Sequence, residues 1–249
     1  MRASLAAVAL SLLMAAAAFA QVEADVHLSE PLAEGVWMHV SYQQTQRWGR
    51  IRSNGLVVAR GDGEAVLIDT AWNDEQTSAL LRLVRDELGR KVVAAVSTHA
   101  HNDKMGGVAT LRDAHILTFA HPVANALAPD RGLMRAEFDL AFGADGMARE
   151  PRLAPVEVLF PGAGHTVANL VVHAPQGEVL FGGCLIRPGS AFNLGNTADG
   201  DVQAWGASVQ AAAERFPAAT IVVPSHGKPG GRELLTHTAR LAEAAVAGD

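Results

Sequence analysis

The amino-acid sequence predicts an α/β fold with strands in both halves of the chain. Short apolar runs of strand length recur along it, and segments whose apolar residues have helical spacing lie between them. Several predicted strands are followed at once by histidine or cysteine next to a glycine or a turn residue. Alternating strands and helices are typical of α/β proteins, and side chains on loops at strand ends are typical of functional sites.

In the first half, strands are predicted at 55–58, 65–69, 92–97 and 116–119. A helix is predicted at 74–88, because leucine and valine recur there at helical spacing. A second helix is predicted at 107–113. In the second half we predict a hairpin of 170–173 and 179–181, a helix at 202–216, a strand at 220–224 and a closing helix from Arg232.

The N-terminus has the pattern of an export signal. Arg2 precedes an apolar run that ends in Ala18-Phe19-Ala20, with small residues at the two positions that a signal peptidase reads. We therefore expect residues 1–20 to be removed, leaving a single domain of residues 21–249 in a bacterial periplasm. The alternative, an uncleaved membrane anchor, fits less well because the run is short for a bilayer span.

Charge and cysteine content exclude some classes of partner and crosslink. Without Arg2, 19 basic residues stand against 26 acidic ones, with no long run of one sign, so nucleic acid is not an expected partner. The only cysteine is Cys184, so no internal disulfide forms, and no cysteine follows the cleavage site to carry a lipid. A lone thiol in an oxidising compartment needs a special explanation.

The most informative segment is 97–107, Ser-Thr-His-Ala-His-Asn-Asp-Lys-Met-Gly-Gly, between a predicted strand and a predicted helix. In extended backbone, His99 and His101 project to the same side, and Asp103 follows one step further on. The spacing suits two adjacent metal ions. The alternative, histidines hydrogen-bonded at a turn, would explain His-x-His alone but not the full His-x-His-x-Asp-x-x-Gly-Gly pattern.

Three further candidate ligands stand where strand ends are expected: His165, Cys184 and His226. Each lies beside glycine or a turn residue, which lets side chain and backbone approach an ion closely. As a thiolate on zinc, Cys184 would be a soft ligand protected from oxidation. The alternative for this residue is an inert buried thiol.

From Val36 to the C-terminus the sequence resembles the class B metallo-β-lactamases of subclass B1, near the New Delhi and Verona types. The matching segments are 98–107, 162–166, 181–186, 194–196 and 225–226, supported by 69–72 and 236–240. The resemblance implies a four-layer αββα sandwich with the site at one edge of two packed sheets.

The resemblance also implies the ligand sets of two Zn²⁺ ions. The first takes His99, His101 and His165, and the second takes Asp103, Cys184 and His226. Hydrolases of the same fold that act on thioesters, lactones or RNA have a histidine after the motif aspartate and a bridging aspartate in place of the cysteine. Here those two positions hold Lys104 and Cys184, which favours β-lactams over the other substrates.

The implied chemistry is hydrolysis of the β-lactam amide of a small-molecule antibiotic, as in penicillins, cephalosporins and carbapenems, by a zinc-bound hydroxide that Asp103 orients. Zinc lowers the pKa of bound water to about 7, so a nucleophile exists at neutral pH. A serine β-lactamase needs Ser-Asp-Asn and Lys-Thr-Gly motifs, and both are absent from the sequence. The alternatives are a lactone or thioester hydrolase of the same fold and a zinc-binding protein without catalysis. A monomer is expected.

Four residues are predicted to contact substrate: Asn196, Arg187, Trp48 and Trp72. The resemblance places Asn196 at the lactam carbonyl, where an amide donor is worth up to about a hundredfold in rate, and Arg187 where many relatives have a carboxylate-binding lysine. The alternative for Asn196 is a structural role in a Gly-Asn turn, and the alternative for Arg187 is a solvated arginine at the surface.

Segment 41–53 resembles the family's mobile flap. Trp48 is expected to cover apolar parts of the substrate, with Arg47, Arg50 and Arg52 attracting its carboxylate. Trp72 lines the opposite wall or packs the core. Three more residues are expected to orient ligands or balance charge around the metals: Asp69, Thr98 and Lys104. The remaining histidines, His27, His39, His115, His121, His173 and His237, are assigned no role.

Overall fold

A computed structural model of the protein describes residues 25–61 and 63–248. The predicted export signal at residues 1–20 lies outside them. The strands are β1 Val26–Ala33, β2 Val36–Thr45, β3 Gly49–Arg60, β4 Glu64–Ile68, β5 Lys91–Ser97, β6 Leu117–Ala120, β7 Phe138–Asp139, β8 Glu157–Leu159, β9 Val171–Ala174, β10 Val179–Gly183 and β11 Ile221–Pro224. The α-helices are α1 Asp74–Leu88, α2 Asn102–Met105, α3 Val108–Asp113, α4 Pro122–Leu127, α5 Val202–Arg215 and α6 Glu233–Gly248.

The strands form two sheets. The larger has seven strands in the order β1-β2-β3-β4-β5-β6-β7, antiparallel from β1 to β4 and parallel from β4 to β7. The smaller has four strands in the order β11-β10-β9-β8, in which only β10 and β11 are parallel. Strands therefore come from both halves of the chain, as predicted.

The alternation of side chains along each strand builds four layers. On β3, Leu56 packs into the core between the sheets, whereas Val57 faces the other way into a cluster with Leu80 of α1. On β10, Phe181 packs into the core between the sheets, and Leu180 packs into a cluster with α5 and α6. Helices thus cover the outer face of each sheet, which confirms the predicted αββα sandwich.

Helix α1 begins and ends where the sequence predicts, because both ends carry capping residues. Asn73 accepts a hydrogen bond from the backbone of Gln76 at 2.9 Å, and Gly89 adopts the left-handed conformation after the last turn. Leu80 and Val84 are fully buried on one face. None of the helices in the described residues has the length and apolar character needed to span a bilayer.

The helix expected at 107–113 is α3, Val108–Asp113, with Gly107 as its N-cap residue. A further short helix, α2, was not predicted and lies just before it at Asn102–Met105. Strands β1 and β2 were not predicted, and β3 extends well beyond the predicted 55–58. The β2–β3 pairing runs without a break from Val36↔Val58 to Thr45↔Gly49, so the predicted flap is the end of a regular hairpin.

This topology brings the ends of several strands to one edge of the sandwich. Strand β5 ends just before His99, β10 just before Cys184 and β11 just before His226. The loop with Cys184 is tied to the loop with His226, because the Ser225 amide donates to the Gly183 carbonyl at 2.9 Å. The predicted ligands therefore converge from distant parts of the sequence.

Candidate metal centre

The six predicted ligands lie together at this edge. Three groups of side chains each have their potential ligand atoms within 4.8 Å of one another: His99, His165 and Cys184; His99, His101 and Asp103; and Asp103, Cys184 and His226. The last group is the set predicted for the second ion. The three histidines predicted for the first ion also meet, with ring centroids 4.6 to 5.1 Å apart.

The His99 ring is oriented by a chain of hydrogen bonds from Asp69. Both carboxylate oxygens of Asp69 accept from Thr98, one from its amide at 2.6 Å and one from its hydroxyl at 2.9 Å. Because that hydroxyl donates to Asp69, it accepts from Nδ1 of His99, 3.2 Å away. Nε2 of His99 is then left with a lone pair.

Two other rings are oriented in the same manner. Nδ1 of His226 donates to the Arg52 carbonyl at 2.6 Å, so that Nε2 faces Cys184 Sγ at 3.5 Å and Asp103 Oδ2 at 3.7 Å. Nε2 of His101 donates to Asp199 Oδ2 at 2.8 Å, and its Nδ1 lies 3.2 Å from Nε2 of His165. A protein acceptor on one ring nitrogen leaves the other free to bind a metal ion.

These residues fit a zinc centre. Nε2 of His99 is completely buried and has no hydrogen-bond partner in the protein, which is costly for a polar atom unless something binds it. The donor set of imidazole nitrogens, one thiol sulfur and one carboxylate is the set that zinc prefers. The residues present therefore match the metal that the sequence predicts.

The electrostatics of the cluster favour the ligating forms of its members. Although burial opposes ionisation, the imidazoles of His165 and His226 hold the pKa of the Cys184 thiol well below its ordinary value. Burial lowers the pKa of His99 to about 4, which keeps that ring neutral. For Asp103, Lys104 outweighs the effect of burial and lowers the pKa of the carboxyl.

Lys104 is a fully buried cation beneath the cluster. Its Nζ lies 3.2 Å from Asp103 Oδ2 and 3.5 Å from Asp69 Oδ2, and it donates to the Ser53 hydroxyl at 2.8 Å and the Asn54 carbonyl at 3.1 Å. Burial disfavours its charge, but the two carboxylates outweigh burial and raise the pKa of Lys104. This arrangement matches the charge-balancing position predicted for Lys104.

A cavity of about 450 Å³ opens above the cluster. All four predicted substrate contacts line it, namely Trp48, Trp72, Arg187 and Asn196. Burial lowers the pKa of Arg187, and its Nε is buried without a hydrogen-bond partner in the protein. The Asn196 side-chain carbonyl accepts from the Ala198 amide at 3.4 Å, so its N–H groups remain the donors.

Two of the three flap arginines have partners inside the protein. Arg50 pairs with Asp25 at 2.6 Å, and Arg52 donates to Asn54 at 2.7 Å. Arg47 lies over the ring of Trp48, 4.7 Å from its centroid. The side chain of Trp48 is 59% exposed at the hairpin tip. Arg47 is therefore a flap arginine in contact with this exposed ring.

Three contacts that orient the ligands have no spacing signal in the sequence. Asp199 holds His101, Ser53 donates to the Asp103 carboxylate at 3.0 Å, and Arg131 contacts Asp199. Their positions depend on tertiary packing between distant segments. A β-carbon on Gly106, by contrast, would collide with the Trp72 carbonyl, which explains the first glycine of the motif.

The other histidines have ordinary structural contacts. Nε2 of His39 lies 3.1 Å from two backbone carbonyls, and burial lowers the pKa of that ring to about 4. His173 lies between two glutamates, and His237 donates to the Ala191 carbonyl at 2.9 Å. None of the three belongs to the groups of potential metal ligands found in the described residues.

Comparisons with known proteins agree with this geometry. The sequence model of the Metallo-beta-lactamase superfamily matches residues 48–226. A metallo-beta-lactamase type 2 of Bacteroides fragilis is 34% identical over 240 residues, which is 93% of either chain. One of Bacillus cereus is 34% identical over 213 residues, 83% of this chain and 79% of that protein.

Solved structures agree as well. A metallo-β-lactamase from Erythrobacter litoralis, crystallised with β-mercaptoethanol in its active site, superposes with a TM-score of 0.85 at 45% identity, covering 88% of this chain and 97% of that one. The mono-zinc form of the metallo-β-lactamase FIM-1 from Pseudomonas aeruginosa superposes with a TM-score of 0.84 at 45% identity, covering 88% and 96%.

Proposed function

The chain belongs to the metallo-β-lactamase superfamily, and from this premise we propose that it hydrolyses the amide bond of β-lactam antibiotics with zinc. His99, His101 and His165 hold one zinc ion, and Asp103, Cys184 and His226 hold a second. The observation that carries the proposal is that both ligand sets lie together at the floor of a cavity lined by Arg187 and Asn196. Subclass B1, near the New Delhi and Verona types, is part of the proposal.

When bound, zinc supplies Lewis acidity and makes water nucleophilic at neutral pH. Side chains of the protein orient the water and bind the substrate. The Asp103 carboxylate accepts a hydrogen bond from the attacking water and so directs it at the lactam carbonyl. The N–H groups of Asn196 donate to the carbonyl oxygen as negative charge develops there. The Arg187 guanidinium binds the substrate carboxylate and fixes the ring over the cluster.

Arg187→Ala is expected to raise KM for β-lactams about tenfold, because a charge-assisted pair in a half-buried site is lost. Arg187→Lys should raise it less, since an ammonium keeps the charge but not the planar fork. Arg149→Ala, which removes an exposed arginine paired with Asp145, is the matched control. The same KM increase for substrates whose carboxylate is esterified would contradict this assignment.

Trp48→Ala is expected to raise KM about threefold to tenfold, most for lactams with large apolar side chains, since an aromatic contact over the substrate is lost. The control is Phe192→Ala, because Phe192 is 88% exposed and does not line the cavity. Steady-state kinetics over several lactams would check this. A KM that stays the same for every lactam would refute the flap assignment.

The proposal includes how the protein is processed. Residues 1–20 are an export signal, the periplasmic product is a single domain of residues 21–249, and it acts as a monomer on small-molecule substrates without a membrane or nucleic-acid partner. Mass spectrometry of the periplasmic fraction would give the cleavage site. A mass corresponding to the uncleaved chain would contradict the export proposal.

The substrate class is tested by hydrolysis of a penicillin, a cephalosporin, a carbapenem, a lactone and a thioester by the purified zinc-loaded protein. We expect kcat/KM for each lactam to exceed that for the lactone and the thioester. Carbapenem turnover would support a role in resistance to that class. A lactone or thioester preferred over every lactam would favour the alternative, another hydrolase of the same fold.

A further inference from the structure

The group that holds the His101 ring is more exposed than the groups that hold His99 and His226. His99 is held by the fully buried Thr98, and His226 by a backbone carbonyl, so both acceptors are fixed by the fold. His101 is held by the carboxylate of Asp199, whose side chain is 40% exposed. An exposed carboxylate on a loop rotates and hydrates unless a second contact restrains it.

Arg131 supplies such a contact. It ends the short turn Pro129–Arg131 that follows α4, and its side chain is 23% exposed. One guanidinium nitrogen lies 3.1 Å from Asp199 Oδ1, while the other carboxylate oxygen of Asp199 accepts from His101 at 2.8 Å. The two oxygens of one carboxylate thus join the arginine to the histidine.

The same guanidinium also contacts the backbone of the ligand loop. Its other terminal nitrogen donates to the Ala100 carbonyl at 2.8 Å, between His99 and His101. Arg131 therefore contacts both the main chain that carries His101 and the side chain that orients its ring. A planar guanidinium makes two such bonds in fixed directions, which a lysine does not.

The turn that carries Asp199 is hydrogen-bonded to the loop that carries His165. The Asp201 amide donates to the Gly164 carbonyl at 2.8 Å, next to His165. Nε2 of His101 faces the Asp199 carboxylate at 2.8 Å, whereas Nδ1 lies 3.2 Å from Nε2 of His165. Nδ1 is therefore the ring nitrogen on the side of the other candidate ligands.

We propose that Arg131 is a positioning residue for the metal centre: through Asp199 and the Ala100 carbonyl it fixes the ring of His101 so that Nδ1 is the ligating nitrogen. The inference rests on the proposed function, because it takes His101 as a zinc ligand. Arg131 touches neither substrate nor metal in this account, and it acts only through its two partners.

The test is zinc affinity, measured by competition with a chromophoric chelator in the absence of any β-lactam. Arg131→Ala is expected to weaken zinc binding about tenfold or more, as the loss of partners behind a ligating histidine does. Asp199→Asn should weaken it as much, and the double variant should lose little beyond either single one. Arg131→Lys keeps the charge and should recover only part of the affinity. Arg149→Ala is the matched control.

A second measurement separates positioning from a general effect on folding or charge. The visible absorption spectrum of the cobalt-substituted protein reports ligand geometry, and we expect it to change in Arg131→Ala but not in Arg149→Ala. Unaltered zinc affinity and an unaltered cobalt spectrum in Arg131→Ala and Arg131→Lys would overturn the proposal. Equal losses in Arg131→Ala and Arg149→Ala would overturn it too, because they would indicate a general charge effect.

The two proposals fail separately. If the wild-type protein binds zinc and Arg131→Ala weakens that binding, the positioning role stands even where no lactam is hydrolysed. If lactams are hydrolysed and zinc affinity does not depend on Arg131, the proposed function stands without the positioning role.

Discussion

Cys184→Ser is expected to lower kcat/KM for β-lactams by about a hundredfold or more at limiting zinc. Replacing a residue that hydrogen-bonds to a metal ligand lowers metal affinity or activity by about ten- to a hundredfold. Loss of the ligand itself should lower them by at least about a hundredfold. Cys184 belongs to two of the three groups of potential metal ligands, and its side chain is buried. A serine hydroxyl is a hard donor with a high pKa and replaces a thiolate on zinc poorly.

The measurement is steady-state hydrolysis across a range of added zinc, combined with metal analysis of the purified variant. We expect activity to recover partly at high zinc, because the three-histidine group is unchanged. In the wild-type protein, bound zinc should also protect the Cys184 thiol from a thiol-specific reagent, and a chelator should remove the protection. Full activity with a full zinc content in Cys184→Ser would rule out Cys184 as a ligand.

Lys104→Met is expected to lower the free energy of unfolding by about 3 to 5 kcal/mol, the usual cost of leaving a buried charge without its partner. The ammonium lies within 3.5 Å of two buried carboxylates, those of Asp103 and Asp69. Burial raises the pKa of Asp69 to about 7, even though Lys104 and the hydrogen bonds from Thr98 act to lower it. Without Lys104, two acidic groups would face each other with no cation between them.

Urea denaturation at a fixed, saturating zinc concentration would measure the loss. The control is Lys91→Met, since Lys91 is exposed at the start of β5 and should cost less than about 0.5 kcal/mol. The double variant Lys104→Met/Asp69→Asn should recover part of the stability, because it removes one of the two uncompensated carboxylates. A Lys104→Met variant as stable as Lys91→Met would show that the buried ion pairs contribute nothing net.

Much of the fold was predictable because local signals and packing agree. Helix α1 matches its predicted bounds since the caps at Asn73 and Gly89 are encoded next to the periodic apolar face. The central strands were found from their apolar runs. Strand β1 was not, because its sequence lacks a clear alternation and includes Pro31, and its pairing with β2 has irregular register. Tertiary pairing rather than local propensity makes it a strand.

In the candidate metal centre, too, residues with a local sequence pattern were predicted, and residues placed only by tertiary packing were not. The sequence predicted the ligands because His-x-His-x-Asp and the glycine-flanked His165, Cys184 and His226 carry their chemistry in the sequence itself. Asp199 and Arg131 were not predicted, since an aspartate in a turn and an arginine after a short helix look like solvated residues. Only the packing of three loops brings them behind His101. Residues that orient ligands through tertiary contacts leave no such local pattern.

The most direct test of zinc-dependent β-lactam hydrolysis is one cycle of zinc removal and return on the purified protein, followed by ring-opening absorbance. We expect rapid hydrolysis with zinc, loss of activity after a chelator, and recovery on restoring zinc but not magnesium, because the imidazole and thiolate ligands suit zinc. Circular dichroism would show that the fold persists throughout. Undiminished hydrolysis by protein shown to be metal-free, or no hydrolysis by protein shown to carry zinc, would contradict the account.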